Sequence, residues 1–402
     1  MKKFTKLSLV AAVAVAGLTS ANAKPLEEAI KDVDVSGTVT YRYDNFGDDK
    51  TGKETSNANK YKINLNLSSK VNDYVKFNTR FNVAEPGLKG SNDFASMDKV
   101  KGDKDTKNDL KPEVGLAHAY FGVNVIPNTT VNVGKQGLAT PWTVATDNDG
   151  GEQTGTGIFS VTAVDNFVLG LAYFNQTNID TAKTDNGALE LSGSEDIYAA
   201  TLQANYGIVN AEAWYLNAND QFDTYALAVH GKADLAENAK IGYEVRYVSL
   251  ELDNSDDTNT LLRVAVDGKV GIVNARVAYS MTDEEGGLTA LDTDAQNASL
   301  GWRLNTLGKA DAKFLQATLG ADILDNLNLS FNYNKLEYDV AKSALGKDKL
   351  TTETTGTAKQ DEYFAQLTYK MSKNLDGYIR YGQQDFDGAE QNSGRLQVNY
   401  KF

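Results

Sequence analysis

Apolar and polar residues alternate one for one along most of this chain. Val33, Val35, Val39, Tyr41 and Tyr43 alternate with Asp34, Ser36, Thr40 and Arg42, the period-two pattern of a strand with one greasy and one wet face. Tyr61, Ile63, Leu65 and Leu67 then alternate with Lys62, Asn64, Asn66 and Ser68, and Val75, Phe77, Phe81 and Val83 with Lys76, Asn78, Arg80 and Asn82. Comparable segments span 114–125, 129–137, 158–164, 167–176, 195–206, 209–217, 222–233, 239–251, 259–266, 270–280, 313–322, 327–338, 360–370 and 375–386. The last runs over 394–402, where Leu396, Val398, Tyr400 and Phe402 alternate with Arg395, Gln397, Asn399 and Lys401. Eighteen strands are predicted.

The connections between them fall into two kinds. Tight turns are predicted at Asn72-Asp73, Ile126-Pro127-Asn128, Asp165-Asn166, Asp267-Gly268-Lys269, Asp325-Asn326 and Ser372-Lys373-Asn374. Long polar loops alternate with them, the first running to Asn59, the next over 84–113 and the third over 137–157. Outer-membrane barrels pair short periplasmic turns with long extracellular loops, whereas β-sandwiches have no reason to. Ala298, Leu300, Trp302 and Leu304 make a further alternating piece, but a bacterial single-chain barrel needs an even strand count. The piece is therefore assigned to one extended extracellular loop, 281–312, whose hairpin-like stretch packs on or into the barrel mouth.

The faces agree with this reading. Ile241, Tyr243, Val245 and Tyr247, Leu327, Leu329, Phe331 and Tyr333, and Tyr363, Ala365, Leu367 and Tyr369 form outward sets without a charge. Lys or Arg there would cost about 2–4 kcal/mol at the bilayer midplane. Their alternating partners, among them Glu244, Arg246 and Glu362, suit a watery lumen. The five prolines, Pro25, Pro86, Pro112, Pro127 and Pro141, all fall between the alternating segments, where a residue that donates nothing to a sheet ladder belongs.

Met1–Ala23 reads as a secretory signal peptide, with Lys2, Lys3 and Lys6, an apolar run from Leu7 to Leu18, and Ala21-Asn22-Ala23 as the cleavage site. Residues 24–402 are expected to form one transmembrane β-barrel domain in the bacterial outer membrane. They contain no apolar run of eighteen, so no helix is expected to cross the bilayer. Removing the three lysines leaves 37 basic residues (40 − 3) against 54 acidic, a formal charge of −17 (37 − 54). Nucleic acid is not an expected partner. The chain has no cysteine, which excludes disulfide scaffolds and thiolate metal sites.

About eighteen strands enclose a channel too wide for strand side chains to fill, so function turns on what narrows it. The candidate is the third extracellular loop, 137–157, folded inward. Pro141, Trp142 and Val144 form an apolar patch suited to the barrel wall, and Asp147, Asp149 and Glu152 an acidic tip. Inward positions on the early strands are basic: Arg42, Lys62, Lys76 and Arg80. An acidic loop opposite a basic wall sets a field across the pore, and the negative surplus predicts modest cation selectivity. The histidines, His118 and His230, lie on separate strands outside any catalytic motif, so no enzyme is expected. Tyr400 and Phe402 end the terminal strand as the insertion signal of an outer-membrane barrel would.

Several stretches resemble the Campylobacter major outer membrane protein family of porins. These are Pro25-Leu26-Glu27-Glu28-Ala29-Ile30-Lys31-Asp32-Val33-Asp34-Val35-Ser36-Gly37 with Tyr41-Arg42-Tyr43-Asp44, then Gly134-Lys135-Gln136, Thr146-Asp147-Asn148, Gly155-Thr156-Gly157 and Tyr400-Lys401-Phe402. The resemblance implies an eighteen-stranded, cation-preferring homotrimer with an inward-folded third loop and an association with calcium. Carried onto this chain, calcium would fall at Asp147 and Asp149, but the family's further acid is replaced here by Gly150 and Gly151. No cofactor is required. The expected function is passive diffusion of small hydrophilic solutes and ions, with outer-membrane lipid, lipopolysaccharide and the barrel-insertion machinery as partners. A substrate-specific channel, for which Trp214 and Tyr378 are inward candidates, and a barrel acting mainly as an adhesin are the alternatives.

Overall fold

A computed structural model of the chain describes residues 33–48, 53–84, 93–97, 113–179, 189, 191–346, 351–352 and 354–402. The expected signal peptide and the segment 24–32 lie outside the described residues.

The strands are β1 (Val33–Asp48), β2 (Lys53–Lys70), β3 (Val75–Ala84), β4 (Ala95–Ser96), β5 (Glu113–Val123), β6 (Thr129–Gly137), β7 (Thr154–Val164), β8 (Phe167–Thr177), β9 (Ile197–Tyr206) and β10 (Val209–Ala218). They continue as β11 (Phe222–Ala236), β12 (Ala239–Leu252), β13 (Thr258–Val270), β14 (Val273–Thr282), β15 (Ala310–Leu324), β16 (Leu327–Asp339), β17 (Thr357–Lys370), β18 (Leu375–Asp385) and β19 (Glu390–Lys401). β4 is a two-residue piece paired with β2 at Lys60 and Tyr61. The other eighteen form one antiparallel sheet in chain order, closed by β1 on β19. Among the described residues there is no helix.

Pairing the first strand with the last leaves the wall without a free edge strand among the described residues, as a membrane-spanning sheet requires. Alternation then sorts the side chains. On β13, Leu262, Val264 and Val266 are exposed on the outside, while Asn259, Leu261, Arg263 and Ala265 are buried inside. The register sets Val264 beside Val245 and Leu262 beside Tyr247, so the apolar faces of adjacent strands merge into one band. Lipid covers that band in the membrane.

The turn chemistry corrects one expectation. Asp267-Gly268-Lys269 lies within β13, and the turn falls at Gly271-Ile272, between the paired Val270 and Val273. Gly271 has φ 57°, so it supplies the left-handed residue that a two-residue hairpin needs. The Asp165-Asn166 and Asp325-Asn326 turns join β7 to β8 and β15 to β16 as expected. The long-loop end is less uniform than the pattern implied. β2 begins at Lys53 rather than near Tyr61, and residues 219–221 and 386–389 are short connections. Strand pairing here runs on past the apolar band, through polar residues whose period-two signal is weak.

Residues 283–309 form a single connection between β14 and β15. The excluded piece around Leu300–Leu304 is no barrel strand; it makes one isolated bridge, Leu300 to Asn305. The core is therefore assembled from inner-wall side chains and the loops that cover them. Trp142 is fully buried in a cluster with Phe174, Leu216, Phe222, Val248, Leu250 and Leu261 from five strands and with Leu288 and Leu291 from 283–309.

Candidate functional site

Segment 138–153 connects β6 to β7; Gly137 and the Gly155-Thr156-Gly157 frame belong to those strands and not to the loop. It opens with a tight fold around Pro141. Thr143 N donates to Thr140 O (3.2 Å), and Thr143 Oγ1 donates to Leu138 O (2.9 Å). That fold drives Trp142 into the cluster just described. Val144 packs against Ala290, Ala295, Ala298 and Leu307.

The tip is shaped by Asp147 and Gly150. Asp147 Oδ1 accepts the amides of Asp149 and Gly151, both at 2.8 Å. Gly150 has φ 89°, and a Cβ there would stand 2.7 Å from the Phe94 ring. Only glycine meets both demands. Phe94, just before β4, lies between this turn and Arg42, whose Cζ is 4.2 Å from its ring centroid.

Side chains of four strands meet this tip. Arg42 on β1 donates through Nη1 to Asp149 Oδ1 (3.0 Å), through Nη2 to Asn148 O, and through Nε to Gln397 (2.9 Å) on β19. Arg395 on β19 holds Asp44 on β1 (2.6 Å) and reaches Asp149 (3.6 Å). Lys62 on β2 and Arg80 on β3 share Glu152 Oε1, at 3.4 and 2.9 Å. Glu152 is fully buried, so the pairing is shielded from water, whereas the Asp149 side chain is 75% exposed.

Of the residues singled out by sequence, the structure brings together Arg42, Lys62, Arg80, Asp149 and Glu152. Lys76 does not join them: it shares the inward parity of Arg80 but sits at the short-turn end of β3, exposed, roughly 13 Å along the strand. Asp147 faces its own turn and the acids of 283–309. Asn148 N donates to Asp294 Oδ2, and Asp292 Oδ1 accepts Asp294 N at 2.8 Å. Burial, with the carboxylates of Asp292, Asp294 and Asp149 adding to it, pushes Asp147 up to about 7. Burial likewise raises Asp292 to about 6. Asp147 Oδ1 is held by two amides and Asp149 Oδ1 by Arg42, so these two oxygens are committed elsewhere than to a shared cation. Among the described residues no cluster of His, Asp or Glu has a metal-holding arrangement.

Segment 283–309 completes the site. It bonds to 138–153 through Leu291 N to Trp142 O and Asn297 N to Pro141 O, both 2.8 Å. Its other side follows the wall. Arg246 Nη1 donates to Asn297 Oδ1 (3.3 Å), Arg263 Nη1 to Ala298 O (3.0 Å), and the amides of Trp302 and Arg303 to the two oxygens of Glu362 (2.7 Å each). Arg246 and Arg263 share Glu244 at 3.1 and 2.6 Å. Sequence reasoning missed Asp44, Arg395, Asp292 and Asp294. Inward parity and charge were legible at Arg395, but its register against β1 was not. Tyr400 and Phe402 are exposed and stacked at 6.0 Å on the outer surface.

A closed barrel with an apolar outer band and an ionised interior is an outer-membrane barrel of the porin class. The model of the Campylobacter major outer membrane protein family matches residues 1–402, the whole chain, and the chain belongs to that family. No curated protein sequence matches it significantly. Solved structures share the fold at low identity. Pseudomonas aeruginosa OpdL is 14% identical with a TM-score of 0.72, covering 92% of this chain and 99% of that one. Acinetobacter baumannii OccAB3 is 16% identical with a TM-score of 0.70, covering 92% and 99%.

Proposed function

We propose that the chain forms a water-filled channel through which small hydrophilic solutes and ions diffuse passively, with a modest preference for cations. One observation carries this reading: segment 138–153 is anchored by Trp142 and ion-paired to Arg42, Lys62 and Arg80 of the inner wall. This supports an inward-folded third loop narrowing an otherwise wide lumen. Asp149 and Glu152 offset wall cations, so Asp147, Asp292 and Asp294 supply the negative surplus that favours cations.

Reconstitution in a planar bilayer across a salt gradient tests the proposal. The expected result is a stable conductance with a reversal potential of cation sign, weaker at about 1 M than at about 0.1 M salt, because the screening length falls from about 10 Å to about 3 Å. Absence of conductance, or an anion preference at low salt, would overturn it. Homotrimer assembly, contact with lipopolysaccharide and delivery to the insertion machinery by the Tyr400–Phe402 end complete the proposal. Current steps in threes test the first of these.

A further inference from the structure

We propose that Arg380 and the aromatic rings around it form a docking station for small organic carboxylates on the inner wall; the proposal rests on the channel reading, which makes the lumen accessible to solutes. Arg380 lies on the inward face of β18. Its Nε donates to Gln366 Oε1 at 2.7 Å. Its Cζ stands 4.9 Å from the Phe364 ring centroid, 5.1 Å from Trp302 and 5.3 Å from Tyr378. Trp302 and Phe364 meet edge to face at 5.4 Å. Three rings and one hydrogen bond fix the plane of the guanidinium before any ligand arrives.

This arginine is short of an anion. Arg42, Arg80, Arg246, Arg263 and Arg395 each contact a carboxylate. Among the described residues Arg380 makes no such ion pair, and its Nη1 and Nη2 have no hydrogen-bond partner there. The neighbouring acid, Glu362, already accepts from the amides of Trp302 and Arg303 and from Asn334 Nδ2 (2.7 Å). Arg395 is the register partner of Arg380 and binds Asp44. Tyr378 donates to Gln397, which also accepts from Arg42. The station therefore sits beside the place where Asp149 meets the wall, so a solute passing the loop passes Arg380.

The geometry selects the ligand class. A fixed guanidinium with two free terminal nitrogens offers parallel hydrogen bonds to a planar two-oxygen anion, a fit that chloride or a neutral amide lacks. Solutes carrying a carboxylate would dwell here while cations pass.

Succinate is a suitable probe, with succinamide as its uncharged analogue. Added to one side of a bilayer holding wild-type channels in potassium chloride, succinate should reduce single-channel current saturably, and succinamide should not. Arg380→Gln should weaken the apparent affinity for succinate about tenfold or more, with conductance in chloride alone near wild type. Arg380→Lys keeps the charge but loses the fork; it should also weaken binding several-fold and serves if the glutamine variant does not fold. Equal block of wild type and either folded variant, or equal block by succinamide, would overturn the proposal. If the wild-type barrel conducts nothing, the channel reading fails by itself. Calorimetric titration of the folded, detergent-purified protein with succinate then decides the station: saturable binding that Arg380→Gln weakens supports it, and its absence overturns it.

Discussion

Gly37 and Phe402 exchange both backbone hydrogen bonds across the seam of the barrel, at 3.0 and 3.1 Å. The final residue is thus the last rung of the closing ladder. A Cβ at Gly37 would stand 2.6 Å from the Phe402 ring and 2.3 Å from Asn64 O. Gly37→Val is expected to displace the terminal ring and destabilise closure by about 1–3 kcal/mol, as overpacking does. The temperature at which the barrel loses its compact electrophoretic mobility should fall; an unchanged transition would show that the seam tolerates the side chain.

Trp142 fixes the position of 138–153. Trp142→Ala leaves a cavity among Phe174, Phe222, Leu250 and Leu291, at a cost of about 3–5 kcal/mol borne by the docked loop. The strands remain paired, so the barrel should still insert. Its single-channel conductance should rise and become noisier, and liposome swelling should extend to larger sugars. Conductance and sugar cut-off equal to wild type would mean that the loop is held without its anchor.

Two acids of the same loop should differ sharply in their effect on packing. Asp149 is 75% exposed although its partner Arg42 is buried; Arg42 keeps Gln397 and Asn148 O when the carboxylate is lost, so this water-facing pair contributes about 1 kcal/mol or less. Glu152 is buried between Lys62 and Arg80, and removing one partner of a buried pair costs about 3–5 kcal/mol. Glu152→Gln should therefore expose 138–153 to limited proteolysis far more than Asp149→Asn does. Equal cleavage rates for the two variants would contradict the assigned burial.

Charge in the lumen is separable from packing at the level of selectivity. Replacing Asp147 and Asp149 with Asn leaves volumes nearly unchanged and keeps the buried Glu152 between Lys62 and Arg80, while Arg42 keeps its charge. At about 0.1 M salt the reversal potential should move towards zero or change sign. Persistence of the wild-type value in an inserted double variant would remove this loop as the selectivity element.

Protonation gives the same test without mutation. Asp147, raised to about 7, and Asp292, raised to about 6, are ionised at pH 8 and mostly protonated at pH 5. Cation preference should therefore decline as pH falls through that window. The stability contribution has the opposite sense. A carboxyl with a raised folded-state value favours the packed loop most below its unfolded value near 4, and loses that contribution as pH rises through 6 to 7. Protease resistance of 138–153 should thus be greater at pH 5 than at pH 8. Asp147→Asn should flatten the upper part of both profiles; an unaltered profile would place the titrating groups elsewhere.

The alternation by itself determined that this chain makes strands, how many close the barrel and which face of each meets lipid. The physical reason is local: a slip of one residue at Val245 or Leu367 would put Arg246 or Gln366 into hydrocarbon, so each strand declares its own orientation. The same pattern excluded 298–304 as a strand through parity, and the apolar residues around Trp142 marked a loop with a surface to bury. Contacts between distant segments were decided by tertiary structure alone. Parity places Lys76 and Arg80 on one face but carries no depth along the barrel axis, so only Arg80 reaches Glu152. Register across a seam that joins the two ends of the chain sets Arg395 against Asp44 and Arg42 against Gln397. The folding of 283–309 against 138–153 and the inner wall, which brings Asp294 to Asn148 and Trp302 over Arg380, depends on the shape of the enclosed space, and no short-range pattern encodes a shape that eighteen strands define together.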